Sequence, residues 1–142
     1  MAARGLLVAL ALIVLPSLAM ATGNADCEID DENLKFTFEA LYSYGSDGPL
    51  FQARAAIEPN ARLFPGIGTI ELDQSALKQQ WFNKHDFAIG LYAMSPHFIR
   101  LIIEARNPSE TDIGYEGRYA LTIGADGNDA KVYRGAVSCS AG

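Results

Sequence analysis

Two histidines and two cysteines carry most of the chemistry open to this 142-residue chain, and their spacing rules out more than it allows. A hydrolytic serine needs a tight GxSxG-type elbow and a histidine base. No serine sits in such a turn: Ser46 lies in Gly45-Ser46-Asp47-Gly48, the composition of an ordinary reverse turn. Cys27 and Cys139 are far too distant in sequence for a CxxC redox pair, and two cysteines alone make a poor zinc site. A metal would need several donors converging. His85 and Asp86 are adjacent, but His97 lies beyond the stretch Phe87–Met94, which as a strand would hold the histidines at opposite ends.

The carboxylates read as surface groups. Asp26, Glu28, Asp30, Asp31 and Glu32 form an acidic run, and Asp126-Gly127-Asn128-Asp129 a second cluster; neither has the ligand spacing of a calcium loop. The first is read as a solvated terminal segment and the second as a hairpin turn. Glu71, Asp73, Glu104 and Glu116 fall on outward parities, where water keeps a carboxylate ordinary. Gly66-Ile67-Gly68 opens a strand and not a helix, so it offers no phosphate cradle. The expectation is a protein without catalytic residues, metal or cofactor.

Contact surfaces remain. Arg62-Leu63-Phe64-Pro65 puts a cation and two apolar side chains in a proline-bounded loop, and Met94-Ser95-Pro96-His97-Phe98 does the same elsewhere. Stiff loops with apolar tips lower the ordering cost of binding, which makes Arg62, Leu63, Phe64 and His97 the candidate binding residues. Leu63 and Phe64 could equally fold back over the end of the domain. Tyr42, Tyr115 and Tyr119 sit on inward parities and belong to the core; Trp81 could enrich a contact surface.

The elements that must position these residues follow from alternation of period two. Leu34, Phe36, Phe38, Ala40 and Tyr42 share one parity, and a turn over Tyr44–Pro49 leads to a second strand carrying Phe51, Ala53, Ala55 and Ile57. Alternation resumes at Gly68, Ile70 and Leu72; Ser75–Asn83 is ambiguous and leans to an irregular stretch or one helical turn. Phe87–Met94, apolar on both parities, reads as a strand central or covered on both faces. Two strands around Ile99–Ala105 and Tyr115–Ile123 follow, and Val132–Ser138 closes the domain, with Gly135 read as a bulge. About seven antiparallel strands imply an all-β fold, a single-domain sandwich or barrel.

Met1–Ala21 has the build of a cleaved signal peptide: Arg4, an uncharged apolar stretch over Gly5–Leu15, Pro16, and Ala19-Met20-Ala21 as a cleavage motif. The apolar stretch is too short to span a bilayer, so no membrane insertion after cleavage is expected. Its loss leaves a single β domain over 22–142 and takes the net charge from -6 to -7. That field disfavours nucleic acid and anionic lipid and favours a cationic partner. Export makes a Cys27–Cys139 disulfide the expected pairing, joining the terminal segments. Asn107-Pro108-Ser109 is blocked as a glycosylation acceptor by its proline, which favours a bacterial periplasm over an extracellular eukaryotic route. The expected function is an exported, non-catalytic binding protein engaging a protein partner, in an inhibitor, immunity or envelope-accessory role. The alternative is a β-barrel carrier holding a small apolar ligand among Phe36, Phe38, Leu101, Ile103 and Tyr119.

Overall fold

The computed structural model describes residues 21–44, 49–109, 112–124 and 131–142. Residues 1–20, read from sequence as part of a leader, residues 45–48 with Ser46, and the Asp126–Asp129 stretch read as a hairpin turn lie outside the described residues. Nine strands form one antiparallel sheet: β1 Thr22–Asp30, β2 Leu34–Ser43, β3 Phe51–Pro59, β4 Ile70–Asp73, β5 Leu77–Phe82, β6 Asp86–Ala93, β7 Phe98–Arg106, β8 Gly114–Gly124 and β9 Val132–Ala141. The order around the wall is β4-β3-β2-β1-β9-β8-β7-β6-β5, a meander whose first and last strands meet in the middle. This is the expected all-β fold in its barrel form, nearly closed and clasped by a disulfide.

Each strand alternates because one face looks into the barrel and the other into water. The inward set includes Ala25, Cys27 and Ile29 on β1, Phe36 and Phe38 on β2, Leu101 and Ile103 on β7, and Tyr119 and Leu121 on β8, all buried. An aromatic string fills the end where β2 finishes and β6 begins. Phe82 packs 4.9 Å from Tyr42 and 5.5 Å from Phe87, and Phe87 lies 5.6 Å from Tyr115. Tyr115 donates its hydroxyl to the Asn83 carbonyl at 2.9 Å, which supplies the partner a buried phenol needs.

β4 and β5 point the same way and are separated only by a 3-10 turn, Gln74–Ala76. Together they occupy one strand's place and change partner halfway: β4 pairs with β3, β5 with β6. Counted so, the wall has eight strand positions, an even number, as all-antiparallel closure requires. Asp73 starts the turn by accepting the Ser75 amide at 2.8 Å. Past the end of β4, glutamine side chains take over the pairing of β3. Gln80 Oε1 accepts the Leu50 amide at 2.6 Å, Gln74 Oε1 accepts the Ala53 amide at 2.7 Å, and Gln74 Nε2 donates to the Leu50 carbonyl at 3.4 Å.

On the other side, β1 and β9 pair through Ala25–Glu28 and Ser138–Ala141, with Cys27 directly opposite Cys139. Their disulfide joins Cα atoms 4.0 Å apart across a sequence separation of 112. Asn24 and Gly142 add a reciprocal pair of backbone bonds, each 3.0 Å.

Several sequence expectations change. Cys27 does not precede the first strand: the acidic run is largely β1, with Asp26, Glu28 and Asp30 alternating against buried Ala25, Cys27 and Ile29. The stretch after Ser75 is a real strand, β5; a register shift between Leu77 and Gln79 swaps its parity, which blurs the pattern. Of the two readings of Phe87–Met94, the central one holds: β6 pairs with β5 on one side and β7 on the other, and its outward Ala88 and Tyr92 are half-buried. Gly135 is no bulge, since β8 and β9 stay in unbroken register from Gly114–Ser140 to Thr122–Val132. A Cβ there would strike the Tyr119 ring and the Asp31 carboxylate. That glycine makes room for a bond from the Tyr119 hydroxyl to Asp31 Oδ2 at 2.6 Å, which ties the β1–β2 turn to β8. Burial, then the Asp31 bond, pushes the Tyr119 phenol far above its usual range.

Two outcomes follow from the joints. Reduction of the disulfide, or Cys139→Ala, should lower Tm by roughly 10 °C, given a closed loop worth up to about 4.7 kcal/mol in the chain-entropy account; an unchanged melting curve would contradict the clasp. In Gln74→Ala/Gln80→Ala, the Leu50 and Ala53 amides should exchange with solvent roughly ten times faster while the β7–β8 amides keep their protection.

Candidate functional site

The strand directions gather Arg62, Leu63, Phe64 and His97 at one end of the barrel, with His85 at the other. The β3–β4 connection is anchored by Asn60, whose amide donates to the Asn33 carbonyl at 2.8 Å and whose side chain donates to the Glu32 carbonyl at 2.7 Å. From there the chain folds over the mouth. Phe64 is 6% exposed, and its ring centroid lies 4.7 Å from Tyr133 on β9. Phe64 is therefore a cap on the core and not a surface tip. Arg62 and Leu63 face solvent beside it, and His97 is half-buried in the β6–β7 connection, which flanks the other side of the seam. Among the described residues no three His, Cys, Asp or Glu side chains are placed to hold a metal ion.

The outer wall carries a feature the loops do not. Its two arcs, β1–β4 and β5–β9, differ in charge. The strands β1–β4 present Asp26, Glu28, Asp30, Glu39, Glu58, Glu71 and Asp73 against Lys35 and Arg54, a net of -5. The strands β5–β9 present Asp86, Glu104 and Glu116 against Lys78, Arg100, Arg106, Arg118 and Arg134, a net of +2. The register brings the acids together: Asp26 pairs with Glu39, Glu39 with Arg54, and Arg54 with Asp73. One row further up, Glu28, Thr37, Ala56 and Glu71 are successive neighbours.

Two shallow depressions cross this wall and share Thr37 and Glu39. One is bounded by Arg54, Glu71 and Asp73, the other by Asp26, Glu28 and the β9 serines Ser138 and Ser140. Small side chains, Ala56 and the serines, form the low ground between charged rims. Partial burial, and then the Glu39 carboxylate opposite, raise the pKa of Asp26. Two carboxylates directly across a ladder repel, and a cation lodged beside Asp26 and Glu39 would relieve that contact. Asp73 differs: bonds from the Ser75 hydroxyl and amide lower its pKa and commit it to the turn.

No family model, curated protein or solved structure matches the chain. The fold and its surface therefore define the class: a disulfide-clasped antiparallel β-barrel with one acidic arc. Reading the acidic run as a tail concealed this wall. The alternation of Ala25, Cys27 and Ile29 with Asp26, Glu28 and Asp30 was the signal that could have found it.

The sign of the Asp26 effect is testable. Its raised pKa means the folded chain holds that proton to a higher pH than the unfolded chain, so stability falls as pH rises through the window above the ordinary carboxylate value. Asp26→Asn removes this loss. Its Tm advantage over the parent should be absent at about pH 3 and reach a degree or two by pH 7. An advantage independent of pH would place the effect elsewhere.

Proposed function

We propose that this protein is an exported, non-catalytic binding protein whose acidic arc, β1–β4, engages a basic protein partner. Periplasmic inhibition, immunity or an accessory role at the envelope are the settings that suit it. The segregation of charge carries the reading: a net of -5 on one arc beside +2 on the other orients an approaching basic partner and raises its encounter rate. The depressions along Thr37 and Glu39 give that partner's basic side chains places to lodge between carboxylates. Arg62 and Leu63 lie above the end of β3 and would border the same interface, with His97 across the seam as a peripheral contact.

Packing favours this over a carrier. The five side chains that would line a carrier's cavity, Phe36, Phe38, Leu101, Ile103 and Tyr119, retain 2% or less of their surface. Side chains bordering a ligand-sized void would keep more, so the interior supports a filled core. Export is supported by the disulfide, which persists in oxidising compartments. Among the described residues no helix is long and apolar enough to cross a membrane.

Immobilised protein should capture a basic protein from its own envelope fraction at low ionic strength and release it as salt rises. The double reversal Glu39→Lys/Glu71→Lys should cut that capture about tenfold without changing the melting temperature by more than a few degrees. Equal capture by parent and variant would overturn the acidic-arc reading.

A further inference from the structure

Trp81, the chain's single tryptophan, stands 65% exposed on the outer face of β5, away from the acidic arc. A core tryptophan would be buried, whereas an exposed indole presents a large apolar face with one polar handle to solvent. Here the indole borders one small outward side chain and a set of charged ones. Its cross-strand neighbour is Ala88, and beyond Ala88 the row continues through Glu104 to Arg118. The row below runs Asp86, Arg106, Glu116. Together they border an open depression of about 600 Å³.

Gly117 lies between the two rows, on the inward parity opposite Ala105. A Cβ there would collide with the Glu104 carbonyl and the Ala105 backbone, so β7 and β8 approach more tightly at this point than a side chain would permit. The charges around the depression are interleaved and nearly cancel. Glu104 faces Arg118, Glu116 faces Arg106, and Arg106 Nε lies 3.5 Å from Asp86 Oδ1. Three carboxylates against two guanidiniums leave a net of -1. Such a rim selects no ion of either sign. It offers alternating donors and acceptors at the edge of an exposed aromatic face.

We propose that this depression is a saccharide-binding site, taking an uncharged oligosaccharide whose ring packs its C–H face against Trp81. The hydroxyls then meet Glu104 and Arg118 along one edge and Asp86 and Arg106 along the other. Ala88 supplies the flat ground on which the ring rests. The site is separate from the acidic arc, so a protein partner and a glycan can be held by opposite sides of one barrel.

The lone tryptophan makes the test direct, because its fluorescence reports this site and no other. Titration with neutral tetrasaccharides of glucose, mannose, galactose and N-acetylglucosamine should give, for at least one of them, a saturable change in emission. Calorimetry with that sugar should show Trp81→Ala weakening binding about tenfold or more, and Glu104→Gln and Arg118→Ala each severalfold. Trp81→Phe should retain part of the affinity, and all four variants should melt within a few degrees of the parent. Glu39→Lys/Glu71→Lys should bind the sugar unchanged, which separates this site from the acidic-arc proposal. The proposal is overturned if none of the sugars moves the emission at millimolar concentration. Sugar binding that survives Trp81→Ala, or emission that responds only to a basic protein, would overturn it as well.

Discussion

An antiparallel sheet becomes a barrel only if its first and last strands can meet, and here they meet over a ladder of four residue pairs. The joints β1–β2, β6–β7, β7–β8 and β8–β9 have eight or nine pairs each. The β1–β9 joint, at most half as long, carries the Cys27–Cys139 bond within it. Covalent linkage there removes the freedom of the two ends to part, which the few backbone bonds of the joint could not do alone. The opposite joint, between β3 and β5, is closed differently. The amides of Gln74 and Gln80 imitate a strand's backbone and satisfy Leu50 and Ala53 without a ladder. Both closures protect the same thing, the buried aromatic and aliphatic interior.

The closures also divide the surface. β1–β4 and β5–β9 are two arcs with separate charge, and the wall's register decides which side chains become neighbours. Carboxylates on different strands, such as Asp26 and Glu39 or Glu28 and Glu71, come to share one face, and burial, then the Glu39 carboxylate opposite, raise the pKa of Asp26. The other arc interleaves its charges and leaves Trp81 exposed beside Ala88. The two arcs offer two chemically different outer surfaces.

The loops chosen from sequence fared unevenly for a physical reason. Arg62 and Leu63 do face solvent, whereas Phe64 crosses the mouth to Tyr133. Composition marks a proline-bounded loop with an apolar tip, but not whether that tip finds an opening to close. Alternation located most strands because water and core act on every second residue. It failed at β1, where charges were taken for a tail, and at β5, where a register shift exchanges the faces. At Gly135 the loss of parity suggested a bulge, while the true requirement was space for a tyrosine from the neighbouring strand.

The sequence by itself determined the local alternation, the inward set of Phe36, Phe38, Leu101, Ile103 and Tyr119, and the pairing of its two cysteines, because these depend on period and on count. Closure of the wall, the seating of Phe64, the glutamine seam and the acidic and tryptophan-bearing faces were decided only in three dimensions. They arise between strands far apart in the chain, where the partner of a side chain is set by register and not by its neighbours in sequence.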